Sequence, residues 1–288
     1  MGYRTILVPM LGIATDSTAL HAALSVARRF EGHVVALFVR PAASDFIPVV
    51  SEAVSAAQIE EMLRISEQAT EKRSAAAKHA FETLCAESDV PLADHPPGPG
   101  RVSAQWCETT GRPEGVFPRR AILSDLVVFG GPSADAVPDP RPTIEATLLV
   151  GGRPLLLVPP ELPDGIGHTI AIAWNGRVEA GRALAAAMPL IEAAGTVHLL
   201  TAETPRTSIE VGVEAADYLQ WRGITARRQP VEVADEPVGA ALLGAATMVG
   251  ADLLVMGGYG HGRLREYVLG GVSRHVLSHA HLPVLLAH

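Results

Sequence analysis

The chain of 288 residues is 48% hydrophobic and 19% charged, a composition typical of a globular protein that can bury a large core. Its formal net charge of -8 repels polyanions, so we expect no nucleic acid partner. No apolar run reaches the roughly 18 residues of a membrane span, which predicts no membrane partner. The two cysteines, Cys85 and Cys107, make no disulfide framework, and together these features predict a cytoplasmic protein.

The first half alternates short, continuous apolar runs with helical stretches, a pattern typical of parallel strands buried on both faces of a sheet. Its predicted strands are residues 6–9, 34–39, 102–106, 126–129 and 155–158. A long helix is predicted over roughly residues 51–88, followed by a proline-rich break at residues 95–100. This helix makes the first half longer than the second, and we interpret it as an insertion.

The second half repeats the alternation, with predicted strands at residues 170–174, 197–201, 225–231, 253–256 and 284–287. A helix is predicted to open at Pro237 and to end before Gly250. Alternating strands and helices imply a parallel sheet that is covered by helices on both faces. The predicted fold class is therefore α/β, with two tandem doubly wound parallel-sheet domains.

Internal repeats support this architecture. The repeated segments are residues 124–131 (SDLVVFGG) with 251–258 (ADLLVMGG), and residues 153–158 with 282–287. The prolines and glycine of residues 159–165 stop any regular element and mark the seam between the copies. We therefore predict one domain at residues 1–160, which carries the helical insertion, and a second at residues 161–288.

The segment most informative about function is residues 257–273, which follows a predicted strand and precedes a helix that runs through Val276. Glycines allow the backbone to approach a ligand closely and to turn its N–H groups inward, and a helix N-terminus adds the positive end of a dipole. This combination suits phosphate. A tight turn without a ligand would also explain the glycines.

Other glycine-rich motifs fit this segment poorly. A Walker A loop needs a Gly-Lys pair, and the only lysines of the chain are Lys72 and Lys78. The dinucleotide fingerprint fails because Arg263 or Arg265 stands where its third glycine belongs. A nucleophile elbow would need a glycine in place of His275.

The glycines at positions 257, 260 and 270, separated by two and nine residues, give the loop a specific likeness. In this spacing it resembles the loop of ATP-binding universal stress proteins, closely over the second half of the chain and loosely over the first. The family places a serine or threonine after the last glycine, where this chain has Gly271, and Ser273 lies two residues further on. The resemblance implies Rossmann-like domains of the adenine-nucleotide α-hydrolase type, with ATP and Mg²⁺ as cofactor.

The resemblance also implies a set of nucleotide-binding residues. They are Ala173, Trp174, Asn175, Gly257, Gly258, Gly260, His261, Gly262, Arg263, Gly270, Gly271, Val272 and Ser273. ATP-binding relatives commonly carry an aspartate near the position of Asn175, whose amide brings hydrogen-bonding groups but no charge. Trp174 can stack on a base or fill the core, and the core is favoured.

The first half has lost the loop. Gly130 and Gly131 are followed by prolines at 132, 138, 140 and 142, and each proline removes a backbone N–H that would hold phosphate. No acidic residue follows the first strand directly, although Asp16 lies further along. We predict that this half binds no nucleotide and serves as a structural partner.

In the family the last strands of two domains pair, so residues 154–158 and 283–287 are expected side by side.

No catalytic set can be assembled from the sequence, and His275 and His279, four residues apart on one helix face, have no third partner that would make a metal site. We therefore predict no catalytic and no metal-binding residues.

The favoured function is that of a stress-response protein whose C-terminal domain binds ATP or a related adenine nucleotide as a switch or sensor, with at most slow hydrolysis. The alternative is a nucleotide-free scaffold for protein interactions. The sequence leaves open whether the chain also forms a homodimer.

Overall fold

The computed structural model describes residues 2–42, 55–95, 97–98, 100–132, 137–162, 165–205, 207–258 and 271–288. The elements of the first half are β1 (Thr5–Met10), α1 (Asp16–Phe30), β2 (His33–Arg40), α2 (Ala56–Glu87), β3 (Ser103–Thr110), α3 (Pro113–Ala121), β4 (Leu126–Gly130), α4 (Arg141–Gly151) and β5 (Leu155–Val158). Those of the second half are β6 (Thr169–Ala173), α5 (Val178–Glu192), β7 (Thr196–Ala202), α6 (Val211–Gln220), β8 (Ala226–Val231), α7 (Val238–Met248), β9 (Leu253–Gly257), α8 (Gly271–His279) and β10 (Val284–Ala287). Among the described residues, no helix is both long and apolar enough to cross a membrane.

All ten strands form one sheet, in the order β3-β2-β1-β4-β5-β10-β9-β6-β7-β8. Each half contributes five parallel strands with the same winding, which confirms the predicted fold class. The halves meet where β5 and β10 pair antiparallel, with Leu155 opposite Leu286 and Leu157 opposite Val284. This confirms the predicted strand pairing, which covers two edges that would otherwise expose backbone groups. The boundary between residues 160 and 161 remains a prediction, because the sheet runs through it.

Two layers of helices bury the two faces of the sheet. One layer contains α1, α2, α5 and α6, whose packed residues include Leu20, Phe81, Leu184 and Leu219. The other contains α3, α4, α7 and α8, whose packed residues include Phe117, Ile144, Leu242 and Val276. Neighbouring strand residues such as Ile6 and Leu7 point into opposite layers, so each central strand reads as an unbroken apolar run.

The prediction that residues 102–106 are buried on both faces is wrong. Residues 103–106 belong to β3, an outermost strand of the sheet, and Gln105 and Trp106 are only half-buried there. An edge strand has a neighbour on one side only, so fewer side chains cover it. At the opposite edge, Arg227 and Arg228 of β8 are exposed to solvent.

The predicted long helix is α2. It begins after Ser55, which forms a capping box with Gln58, and residues 51–54 at the predicted start lie outside the described residues. Three α2 residues at helical spacing, Ala77, Phe81 and Cys85, pack into the core on the α1 side of the sheet. Both cysteines of the chain are free thiols.

A repeated aspartate explains part of the sequence repeat. The Asp252 carboxylate accepts hydrogen bonds from the backbone N–H groups of Gly167, His168 and Thr169 at 2.8 to 3.2 Å. In the first half, Asp125 accepts from the backbone N–H groups of Arg4 and Thr5 at 2.8 and 2.9 Å. In each half the carboxylate therefore fixes the start of the first strand against the start of the fourth.

Candidate functional site

The candidate site is a cavity of about 310 Å³ in the second half, at the carboxyl ends of β6 and β9. These two strands are neighbours, and the sheet continues to β7 on one side and to β10 on the other. The winding therefore reverses between them. Ligands of open α/β sheets bind at such a switch point.

Small side chains leave room for the cavity. Ala173 ends β6 and Ala202 ends β7, and both line the space below α7. Larger apolar residues complete this wall, namely Val238, Leu242 and Met256. An apolar wall with a few polar groups at one side is the usual make-up of a small-molecule site.

The first residues of α8 form the opposite side of the cavity. Gly271, Val272 and Ser273 all line it, and the Ser273 side chain is buried. Among the described residues, no atom lies within 4 Å of a Cβ added at Gly271.

Trp174 directly follows β6, the first strand of the second half. Its half-buried ring packs against the core and also lines the cavity. The indole Nε1–H donates a hydrogen bond to the carbonyl of Val211 at 2.9 Å, which fixes the orientation of the ring. The cavity therefore has a rigid aromatic surface on its β6 side.

Asn175 shapes the loop that follows β6. Its Oδ1 accepts a hydrogen bond from the backbone N–H of Arg177 at 3.1 Å, and the intervening Gly176 has a φ of +71°. The first half repeats the conformation at Gly12, with a φ of +74°. Glycine adopts this left-handed region without strain, so both halves turn in the same way before their first helix.

The two glycines at the end of β9 have packing roles. A Cβ on Gly257 would lie 2.6 Å from the backbone nitrogen of Ala180, so only glycine lets α5 approach this strand. Gly257 also lines the cavity. Gly258 does not line the cavity. Its backbone N–H donates a hydrogen bond to the carbonyl of Ala287, the last residue of β10.

The predicted site residues fall into three groups. Those that line the cavity are Ala173, Trp174, Asn175, Gly257, Gly271, Val272 and Ser273. Gly258 lies nearby but outside the lining. The remaining five lie outside the described residues, namely Gly260, His261, Gly262, Arg263 and Gly270.

Sequence reasoning missed the apolar wall of the cavity and two charged residues that line it. The missed lining residues are Arg177, Glu179, Ala202, Thr204, Thr207, Val238, Leu242 and Met256. Most of them sit at or just beyond the carboxyl end of a strand or at the start of a helix. The rule that such ends meet at the switch point could have located the strand ends, once the strand order was fixed.

The equivalent region of the first half is packed with aromatic side chains. In the repeated segment Phe129 takes the place of Met256, and its ring meets Phe117 edge-on with centroids 6.3 Å apart. Both side chains are fully buried. The Asp16 carboxylate is also buried and accepts a hydrogen bond from the backbone N–H of Gly12 at 2.7 Å. That this half binds no nucleotide remains a prediction.

His275 and His279 share one face of α8, as their spacing predicts. Their rings stack with centroids 4.2 Å apart, and Nδ1 of His279 lies 2.9 Å from the carbonyl oxygen of His275. Within the described part of the chain, no group of three or more His, Cys, Asp or Glu side chains is placed to hold a metal ion. The absence of a metal site stays a prediction for the chain as a whole.

A family model described as the universal stress protein family matches residues 168–288, which include every described residue of the cavity. Residues 168–288 belong to the universal stress protein family. The predicted relationship is thereby confirmed, and the matched region begins within a few residues of the predicted second domain.

Solved universal stress proteins share the fold of the whole chain. A universal stress protein from Archaeoglobus fulgidus is 13% identical and superposes with a TM-score of 0.69, covering 98% of this chain and 97% of its own. A putative universal stress protein from Pseudomonas aeruginosa is 15% identical, with a TM-score of 0.58 and coverage of 99% and 93%. At these identities the likeness establishes the tandem fold alone. A search of curated proteins found no match.

Proposed function

We propose that the chain binds ATP or a related adenine nucleotide in the cavity of its universal stress protein domain, and that it acts as a nucleotide-operated switch or sensor in a stress response. The observation that carries this proposal is the position of the cavity. It lies at the topological switch point and is lined from one side by the predicted β6 residues and from the other by the start of α8.

The lining fits the two chemically different ends of a nucleotide. The apolar wall with Ala173, Ala202 and Met256 accommodates a base, and the ring of Trp174 adds a flat surface next to it. We assign the phosphates to the side of the cavity lined by residues 271–273, because the sequence predicts a helix N-terminus after the glycine-rich segment. On this proposal the protein's part is to bind and orient the nucleotide.

The alternative function is a nucleotide-free scaffold for protein interactions. Asn175 favours it, because its Oδ1 already accepts a hydrogen bond within its own loop and carries no charge toward a ligand. Gly271 also lacks the hydroxyl that the family places after its last glycine. On this alternative the cavity would be a remnant, and filling it would leave partner binding intact.

The test is nucleotide binding by the full chain and by a variant with a filled cavity. Ala202→Leu adds bulk to a residue that lines the cavity and is 8% exposed. The added side chain occupies space that the ligand needs, so we expect ATP affinity to fall about tenfold or more, which is about 1.4 kcal/mol. Ala185→Leu is the matched control, because Ala185 is exposed on α5 and does not line the cavity.

Calorimetry and native mass spectrometry with ATP and AMP give affinity and stoichiometry. One nucleotide per chain, weakened by Ala202→Leu and unchanged by Ala185→Leu, supports the proposal. No binding at millimolar nucleotide rejects it and leaves the scaffold. Binding that Ala202→Leu does not weaken, with the variant shown to be folded, rejects the cavity as the site.

A further inference from the structure

Glu179 stands out among the residues that line the cavity. It is half-buried, and among the described residues no group donates a hydrogen bond to its carboxylate or forms an ion pair with it. The other charged residue of the lining is Arg177, which has an interaction partner of its own. A carboxylate that is partly withdrawn from water is normally paired, because burial penalises its charge.

The backbone places Glu179 beside the start of the glycine-rich segment. A Cβ built on Gly257 would lie 2.9 Å from the Cβ of Glu179, so the two residues are in direct contact across α5 and β9. The start of α8 at Gly271 lines the same cavity. The carboxylate is therefore attached where the segment of residues 257–273 begins, the segment that the sequence assigns to the nucleotide's phosphates.

A phosphate chain and an unpaired carboxylate repel each other strongly in a confined space of low dielectric constant. A divalent cation removes this repulsion, because Mg²⁺ is typically held by one or two carboxylates together with substrate phosphates and several waters. We propose that Glu179 receives the cation of a metal–nucleotide complex and so makes the site select nucleoside polyphosphate with Mg²⁺ over the same nucleotide without it. This inference rests on the proposed nucleotide binding.

A structural role for Glu179 must be separated from this one. Glu179 lies in the first turn of α5, where an acidic side chain also stabilises the positive end of the helix dipole. Glu214 occupies the first turn of α6 and is exposed outside the cavity. Glu179→Gln and Glu214→Gln therefore make a matched pair, which share any helix-dipole effect and differ in access to the ligand.

The experiment measures ATP affinity of the full chain by calorimetry in Mg²⁺ and in EDTA. We expect the unmodified protein and Glu214→Gln to bind ATP at least about tenfold more tightly with Mg²⁺. In Glu179→Gln we expect binding in EDTA to strengthen and the effect of Mg²⁺ to shrink below about threefold. Mn²⁺ titrated in the presence of ATP gives a second readout, because its spectroscopic signal reports protein contact with the metal–nucleotide complex.

The outcomes separate this inference from the proposed function. If the unmodified protein binds ATP equally well with and without Mg²⁺, nucleotide binding stands and the role of Glu179 is overturned. The role is also overturned if Glu179→Gln keeps the full effect of Mg²⁺. If the unmodified protein binds no nucleotide under either condition, both proposals fail. Should Glu179→Gln not fold, Glu179→Asp, which keeps the charge but shortens its reach, is tested for a weakened effect of Mg²⁺.

Discussion

Asp16 should make the stability of the protein fall as the pH rises from about 4 to about 7. Its side chain is buried at the start of α1, and burial raises the pKa of this carboxyl to about 7. Hydrogen bonds from the backbone N–H groups of Gly12 and Ile13, at 2.7 and 3.2 Å, oppose that rise but do not cancel it. In the unfolded chain an aspartate titrates near pH 3.9.

The sign and size of the effect follow from these two values. The folded state holds the proton more tightly, so its contribution is complete below about pH 4 and is lost as the pH rises through about 7. Each pH unit inside this window removes up to about 1.4 kcal/mol from the free energy of unfolding. From pH 5 to pH 8 the loss should be about 3 kcal/mol, with little further change above that.

Denaturant unfolding of the protein and of Asp16→Asn, measured from pH 5 to pH 8, checks this prediction. Asparagine has no proton to lose, so the stability of the unmodified protein relative to the variant should fall by about 3 kcal/mol across the range. Asp217→Asn is the control, because Asp217 is exposed on α6. A difference between the protein and Asp16→Asn that stays constant with pH would refute the reasoning.

Two further predictions concern the repeated packing of the halves. Gly257→Ala should destabilise the protein by about 1–3 kcal/mol in thermal or denaturant unfolding, because the new Cβ meets the backbone nitrogen of Ala180 at 2.6 Å. The control is Gly244→Ala inside α7, where no atom of a described residue lies within 4 Å of the new Cβ. This variant should instead stabilise the protein by about 0.5–1 kcal/mol. Asp252→Ala should cost about 3 kcal/mol in the same assay, since it leaves three backbone N–H groups without their charged acceptor. Asp125→Ala should behave alike, and a loss below 1 kcal/mol in both would show that water replaces the carboxylate.

The strands could be predicted from the sequence because the sheet is parallel and covered on both faces. A central strand such as β4 or β9 then appears as an unbroken apolar run, and the structure has strands at all ten predicted places. The pattern fails at the edges, where the half-buried Gln105 and Trp106 show that an apolar start does not guarantee cover on both faces. Position in the sheet decides burial there, and no local pattern encodes it.

The site was only partly predictable, for a different reason. Glycine spacing and the family resemblance that it carries drew attention to one loop and two strand ends, and seven of the thirteen residues chosen in this way line the cavity. The opposite wall is built by residues such as Ala202, Val238 and Leu242, whose types carry no chemical signal in a sequence rich in alanine, valine and leucine. Glu179 escaped notice because an acidic residue in the first turn of a helix is ordinary.

The two halves keep the same packing devices but differ in what fills the switch point. A glycine ends the fourth strand of each half. A Cβ on either glycine would lie within 2.6 Å of the backbone where the half's first helix begins, at Thr15 for Gly130 and at Ala180 for Gly257. Close helix approach is therefore required by the fold in both halves and says nothing about a ligand. The halves differ at one position of the repeat, where Phe129 packs against Phe117 in the first half and Met256 lines the cavity at the switch point in the second. The glycine repeat is therefore a packing feature, and the side chains that surround it set whether space for a ligand remains at that point.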